Sequence, residues 1–241
     1  MLGLRAEPPW HSAPATYSNG DESVALLAYS WRPRQYDVGL PKYAEVHEAA
    51  VLADVARARA THTSVIVSLH WGAEFVMQPS TAEVAFAHKL VETGVDLVLG
   101  HHPHVVRPLE LHGCSAIAYS LGNCMTDMVW LDVLREGALV EAKLSPRPSD
   151  VRLTRTRVDE SYHVRLVGFL LNEDHVRLAA LDEPAYEAAG KAGERLHRMA
   201  SYKHLLGNIL RYEPRVLGEL IGNTRSNKWR AAVRRIRGTS A

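Results

Sequence analysis

Two short apolar runs, with a helical segment between them, constrain the fold of this chain most. Residues 64–69 and 95–100 are mostly apolar, which is typical of strands buried on both faces of a sheet. Between them, Ser80 and Glu83 have the spacing of a capping box, and Gly94 stands where a helix C-cap is expected. This order of strand, helix and strand predicts an α/β fold with parallel strands covered by helices.

The same patterning predicts elements along the rest of the chain. We expect a strand at 23–29, a helix at 43–60, a hairpin formed by 105–111 and 115–121, and further strands at 138–144 and 151–158. After Asp182 the sequence becomes helical and more charged. The chain is therefore expected to end in a helical C-terminal region.

Composition and charge narrow the class of protein. The 241 residues are 46% hydrophobic, so the chain can bury a substantial core as one domain or two small ones. The formal net charge of +1 gives no reason to expect a nucleic-acid partner. No apolar stretch approaches the roughly 20 residues of a membrane span, and Pro8-Pro9 interrupts the N-terminus where a signal peptide would continue. We expect a cytoplasmic protein, or an extracytoplasmic one if the true N-terminus lies upstream.

The last stretch of the chain is strongly basic. It contains Arg225, Lys228, Arg230, Arg234, Arg235 and Arg237 without an acidic residue among them. Such a tail is usually a solvated face. The alternative is a weak contact with a membrane surface, with Trp229 and Ile236 on the apolar side.

The two cysteines, Cys114 and Cys124, are too few for a disulfide framework. One bridge between them remains an alternative. We expect two small buried thiols instead, because free cysteine behaves as a small hydrophobic residue.

Histidines follow both apolar runs. His70 ends the first run, and His101, His102 and His104 follow the second, in a chain with 13 histidines. The ends of adjacent parallel strands lie about 5–10 Å apart, so these imidazoles should meet at one edge of the sheet. Neutral imidazole suits zinc, manganese or iron better than calcium. We predict that His70, His102 and His104 bind a divalent metal ion, although His70 alone has the alternative of a hydrogen-bonded structural residue.

Two further residues are candidates for catalysis. His101 is adjacent to a predicted ligand, and neighbouring residues of a strand point to opposite sides. It would act behind the ligands or in proton transfer, with no role in the site as the alternative. Glu74 follows His70 by four residues and would orient a ligand or contact substrate. The alternative for Glu74 is an ordinary surface carboxylate.

Three residues after the histidine cluster are candidates for substrate binding. Arg107 has a guanidinium that matches a phosphate, with an ordinary strand arginine as the alternative. Asn123 lies in the turn that follows the predicted hairpin, and Asp127 lies shortly after it.

Four segments together resemble the CapA family of capsule and poly-γ-glutamate biosynthesis, a branch of the calcineurin-like metallophosphoesterases. They are Ser-Leu-His-Trp-Gly-Ala-Glu-Phe (68–75), Ala-His (87–88), Gly-Val-Asp-Leu-Val-Leu-Gly-His-His-Pro-His-Val (94–105) and Tyr-Ser-Leu-Gly-Asn (119–123). The resemblance covers residues 20–145. It implies an α/β/β/α sandwich with a two-metal centre at the strand ends. His70 would be the isolated histidine ligand, and His102 and His104 the H-x-H pair.

The sequence also departs from the superfamily pattern. The aspartate motif, the second acidic position and the Asn-His motif of the first half have no counterpart, and Cys124 follows Asn123. The resemblance thus implies that residues 1–160 form a partial domain, without the N-terminal part of the family's fold. Residues 161–241 would then be a C-terminal extension. It implies two divalent ions in an intact relative and one or none here.

The resemblance implies three functional hypotheses. The first is a metal-dependent phosphoesterase or hydrolase of capsule or poly-γ-glutamate biosynthesis, acting on a small-molecule or polymer substrate. The second is a non-catalytic accessory protein of the same family with an incomplete metal site. The third is an incomplete gene product whose apolar sheet face is left uncovered.

Overall fold

A computed structural model describes residues 4–5, 13–31, 42–43, 47–144, 149–170 and 178–208. The strands are β1 (Leu4–Arg5), β2 (Ala15–Asn19), β3 (Glu22–Ser30), β4 (Lys42–Tyr43), β5 (Ser64–His70), β6 (Leu97–His101), β7 (Leu109–His112), β8 (Ser115–Ala118), β9 (Glu136–Lys143), β10 (Ser149–Val158) and β11 (Val164–Leu170). The helices are α1 (Glu48–Thr61), α2 (Thr81–Thr93) and α3 (Glu183–Asn208), with a short 3₁₀ helix at Asp132–Arg135.

A six-stranded sheet forms the centre of the fold. Its order is β2-β3-β5-β6-β8-β7, in which β3, β5, β6 and β8 are parallel and the two edge strands are antiparallel to their neighbours. The prediction of parallel strands is therefore confirmed. The hairpin of β7 and β8 turns at Gly113, near the place that the sequence predicted.

Helices α1 and α2 cover one face of this sheet. Their buried residues pack on alternate residues of β3, β5 and β6 in a single core, which includes Val55, Phe86, Val67 and Val98. Burial of each such side chain contributes about 1.5–3 kcal/mol, so this layer supplies much of the stabilisation of the fold.

The two helices differ in how well their starts were predicted. The capping box of α2 is confirmed, since Ser80 accepts a hydrogen bond from Glu83 N and the Glu83 carboxylate accepts one from Ser80 N. Gly94 takes the left-handed C-cap conformation, with φ 116°. Helix α1 begins at Glu48, not at Tyr43 as predicted, because residues 42–43 pair as an edge of a two-stranded sheet with β1.

A second sheet covers the other face. It contains β9, β10 and β11 in the order β11-β10-β9, all antiparallel. Its residues Ala138 and Leu153 pack with Leu97, Ala116 and Ala118 of the central sheet. The mixed α/β class and the pair of packed sheets are confirmed, and within the described ranges the order of layers is helices, central sheet, second sheet.

The chain divides into two compact units, Met1–His197 and Arg198–Ala241. The domain boundary expected at residue 160 lies in the turn that joins the paired strands β10 and β11. The helical C-terminal region is confirmed by α3, whereas the basic residues from Arg225 onward lie outside the described residues. Over the ranges that the structure describes, no helix combines the length and apolarity needed to cross a bilayer.

The expectation of buried thiols is wrong. Cys114 and Cys124 are both exposed and both free. Each lies in a connection, Cys114 in the β7–β8 turn and Cys124 after the Gly122-Asn123 turn, where no core layer covers it.

Candidate metal site

The ends of β5 and β6 create the site. His70 and His101 are register partners at the last position of these parallel strands. Two loops begin there, residues 71–76 after β5 and residues 102–106 after β6. A hydrogen bond of 2.8 Å from Phe75 N to the Pro103 carbonyl joins the two loops. The predicted meeting of the two strand ends is therefore present in the fold.

Three side chains on these two loops form a group with metal-binding geometry. The ligand atoms of Glu74, His102 and His104 all lie within 4.8 Å of one another. Glu74 Oε1 is 3.9 Å from His102 Nε2. Ligands of a single zinc-like ion, each about 2.0–2.2 Å from it, lie about 3–4 Å apart, so small side-chain rotations bring this set to bonding distance. Two imidazoles and one carboxylate fit a borderline divalent ion.

His70 lies beside this group. Its ring centroid is 4.4 Å from that of His102, with an angle of 36° between the ring planes. The group of three contains His102 and His104, two of the three histidines predicted as ligands. Its third member is Glu74, which was predicted to orient a ligand or contact substrate, and His70 is not among the three.

A hydrogen-bond network assigns the tautomer of His104. Asn123 Nδ2 donates to the carbonyls of Leu134 and His104, at 2.9 and 3.2 Å, which identifies Oδ1 as the acceptor end of the amide. His104 Nδ1 is 2.9 Å from that Oδ1 and must carry the proton. The lone pair of His104 is therefore on Nε2, the atom left for an ion. Asn123 was predicted to bind substrate, and the structure places it 8% exposed behind His104.

The backbone at the site is strained. Phe75, His102 and His104 have φ of 66°, 97° and 61°, a region that costs a non-glycine residue about 1–3 kcal/mol. Such conformations persist only where surrounding contacts determine them. The sequence around the site thus gives up stability to hold these side chains in place.

Arg107 holds the Glu74 loop, which differs from its predicted role as a phosphate contact. The residue is 1% exposed, and its guanidinium donates to the Val76 and Ala73 carbonyls and, at 2.8 Å, to the Glu83 carboxylate. Tyr186 of α3 completes the set, since its hydroxyl is 3.1 Å from the guanidinium and accepts from Ala73 N at 2.7 Å. These internal partners leave the guanidinium no exposed face to offer to a ligand.

Helix α3 adds a histidine that the sequence did not predict. The ring of His197 stacks on that of Phe75, with the ring centroids 4.4 Å apart. Trp130 Nε1 donates a hydrogen bond to His197 Nδ1 at 3.3 Å. Burial lowers the pKa of His197, with the Glu74 carboxylate opposing and the His104 ring adding to the shift. A neutral His197 that accepts at Nδ1 carries its proton on Nε2. His197 lies in a charged amphipathic helix, far along the chain from the other residues of the site, and no pattern in the sequence around it indicates a functional site.

The two remaining predicted residues lie outside the three-ligand group. His101 is partly buried, and burial lowers the pKa of its imidazole, which favours a neutral ring. The alternation along β6 places it on the face shared by Leu97 and Leu99. Asp127 is exposed on the loop that also carries Trp130.

Comparison with known proteins adds evidence on family. Residues 1–128 match the model of the family described as bacterial capsule synthesis protein PGA_cap. The PGA biosynthesis protein CapA of Bacillus subtilis is 39% identical over 80 residues, which cover 33% of this chain and 21% of the relative. A probable polyglutamine synthesis accessory protein of Mycobacterium tuberculosis is 40% identical over 62 residues, which cover 26% of this chain and 16% of the relative.

Among solved structures, a putative 5′-nucleotidase from Staphylococcus aureus aligns with 75% of this chain and 33% of its own, at 13% identity and a TM-score of 0.36. The chain spans about a fifth of the length of the curated relatives it matches. The match of the family model extends over more than half of the chain and includes the strand ends, both loops and Glu74, His102 and His104. The chain belongs to the bacterial capsule synthesis protein family PGA_cap.

Proposed function

We propose that this chain carries a metal-dependent hydrolase site that acts in the synthesis or turnover of a capsule polymer such as poly-γ-glutamate. The observation that carries the proposal is the convergence of Glu74, His102 and His104 within 4.8 Å at the ends of two parallel strands. Ligand sites of α/β sheets lie typically at such strand ends.

The donor set supports a zinc-, manganese- or iron-like ion. His104 would bind through Nε2, because Asn123 keeps the proton on Nδ1. His102 and Glu74 would supply the other protein ligands, with His70 beside them. A bound divalent ion lowers the pKa of a water molecule and polarises a phosphoryl or acyl oxygen.

The remaining residues of the site have roles that follow from their contacts. Arg107 and Tyr186 hold the loop that carries Glu74, so they are positioning residues. His197, kept neutral by burial and oriented by Trp130, is placed to donate a hydrogen bond from Nε2 to a substrate or leaving group.

The substrate class is inferred from the family. Relatives are named for PGA biosynthesis, capsule biosynthesis and polyglutamine synthesis. A polymer of that kind, or a phosphorylated precursor, is therefore the substrate that we propose. The amide of poly-γ-glutamate and a phosphodiester are both bonds that metal-activated water can attack.

The test measures bound metal and turnover together. The purified chain, loaded with manganese or zinc, should retain metal through gel filtration and hydrolyse either bis(p-nitrophenyl) phosphate or poly-γ-glutamate. His104→Ala should lose metal affinity at this site by at least about 10-fold, since even the loss of a residue behind a ligand costs about 10–100-fold. Asn123→Ala, which removes the side chain behind His104, should lower metal affinity at this site by about 10–100-fold.

His163→Ala is the matched control, because His163 is an exposed histidine near the Asp159 carboxylate in the turn between β10 and β11. This variant should bind metal and hydrolyse substrate as the parent chain does. Metal affinity at this site that survives both His102→Ala and His104→Ala would refute the proposed ligands. Retained metal without hydrolysis of either substrate would refute the hydrolase.

A second candidate function is a non-catalytic accessory role. The described part of the chain supplies only one carboxylate to this group, whereas two-metal hydrolases use carboxylates to bridge and neutralise their ions. The relative from Mycobacterium tuberculosis is itself named an accessory protein. Metal binding with no hydrolysis of either substrate would favour this role.

A further inference from the structure

A second histidine–carboxylate group lies on elements that contribute no ligand to the first. His88 is on α2, and Glu110 and His112 are two residues apart on β7, so both point from the same face of this edge strand. The ligand atoms of the three side chains lie within 4.8 Å of one another. The function proposed above does not use them.

The contacts within this group converge on one oxygen atom. Glu110 Oε1 is 2.8 Å from His88 Nε2 and 3.4 Å from His112 Nδ1. The two rings stack, with centroids 4.1 Å apart and an angle of 22° between their planes. Two imidazolium rings at that separation would repel each other, whereas two neutral rings suit one shared cation.

The other carboxylate oxygen of Glu110 is held from the core. Tyr119 is fully buried, and its hydroxyl donates to Glu110 Oε2 at 2.6 Å. Burial, together with the Glu110 carboxylate, raises the pKa of Tyr119, so the phenol stays a donor. A carboxylate oriented in this way, with its second oxygen directed at the histidines, has the arrangement of a metal ligand fixed by a hydrogen-bonded neighbour.

We propose that His88, Glu110 and His112 form a separate binding site for a borderline divalent cation, of which zinc is the best fit. Two imidazole nitrogens and one carboxylate oxygen supply three ligands at a partly exposed surface, and water supplies the fourth. The ion would replace the hydrogen bond between Glu110 Oε1 and His88 Nε2, and the neutral His88 ring would then carry its one proton on Nδ1.

This site would link two elements that are distant in sequence. Helix α2 covers the central sheet, and β7 is the last strand at one edge of it. An ion bound only in the folded state stabilises that state in proportion to the logarithm of its concentration. The site would therefore fasten the edge strand to the helical layer.

The test uses zinc itself, titrated into the His102→Ala/His104→Ala chain, which lacks the first group. One equivalent of zinc per chain should still bind and should raise the melting temperature. Adding His112→Ala should weaken this binding at least about 10-fold and abolish the shift in melting temperature. His112 is the ligand to change because it is the most exposed of the three, and its loss leaves the bond of Glu110 to Tyr119 intact.

Two further variants keep the result interpretable. Tyr119→Phe retains the ring but removes the hydroxyl that holds Glu110, and it should weaken zinc binding about 10–100-fold. His163→Ala, which removes an exposed histidine 3.6 Å from Asp159, should bind zinc as its parent does. Should the double variant fail to fold by circular dichroism, the parent chain and His112→Ala are compared instead and should differ by one zinc equivalent. Equal zinc binding with and without His112, or no zinc bound at micromolar concentration, would overturn the proposal.

Discussion

At the scale of single residues, the candidate site depends on buried polar side chains that position the residues around them. Asn123 assigns the proton of His104, and Arg107 ties the Glu74 loop to α2 and α3. Both residues were predicted as substrate contacts, because a guanidinium and an amide in a loop have that chemistry. Their burial, which depends on how the layers pack, decides that they position other residues.

Replacing Arg107 should be the most costly single change near the site. Arg107→Met leaves the Glu83 carboxylate buried without its partner, which costs about 3–5 kcal/mol of unfolding free energy. Changing both residues, Arg107→Met with Glu83→Gln, should recover part of that loss. Urea unfolding of the single and double variants measures both values.

The exposed pair Lys191–Glu187 is the control for this change, because its N–O distance is also 2.8 Å. Lys191→Met should change the unfolding free energy by less than about 1 kcal/mol. An equal effect of Arg107→Met and Lys191→Met would contradict the view that burial of the ion pair determines its contribution.

At the scale of elements, the site requires β6 and β8 to approach closely just before the histidines. A Cβ added at Gly100 would lie 2.1 Å from the Tyr119 carbonyl oxygen and 2.7 Å from Trp71 Nε1. The Trp71 indole itself donates to that carbonyl at 3.0 Å. The glycine before the cluster therefore lets the backbone and a buried tryptophan meet, and this contact fixes where β6 ends.

Gly100→Ala should destabilise the chain by about 1–3 kcal/mol, because the obstructing atom is backbone and cannot rotate away. Thermal unfolding measures this loss. In contrast, Gly190→Ala in α3 meets only Ala73 Cβ at 3.6 Å and should be neutral or stabilising by up to about 1 kcal/mol. A Gly100→Ala chain as stable as the parent would show that β6 and β8 separate easily.

At the scale of the whole molecule, the central sheet lies between two different layers. Helices pack on one face and the three-stranded sheet on the other, so β5, β6 and β8 are buried on both sides. Strand β2, in contrast, is exposed along its whole length. The candidate metal site lies at the end of the best-buried strands, where its ligands have a rigid support.

Amide hydrogen exchange should reflect this layering. Amides of β5, β6 and β8 should exchange slowest, at rates set by global unfolding, and those of β2 should exchange much faster through local opening. Mass spectrometry of peptides from the two regions measures the difference. Equal protection of β2 and β6 would mean that the covering layers do not set local stability.

The sequence alone determined the local elements and the position of the site along the chain. Alternating or continuous apolar patterns predicted β3, β5 and β10, and the Ser80–Glu83 capping box with Gly94 predicted α2, because these signals depend on neighbours a few residues apart. The histidines after two apolar runs indicated a shared edge, because parallel strands place their carboxyl ends together.

Only the tertiary structure decided which side chains meet there. Glu74 joins His102 and His104 because its loop is bound by Arg107 and Tyr186, contacts between residues up to 113 positions apart. The approach of His197 to that loop and the pairing of His88 with Glu110 depend on the same packing. Local patterns carry no information on such long-range contacts, since burial and side-chain direction are set by all the layers together.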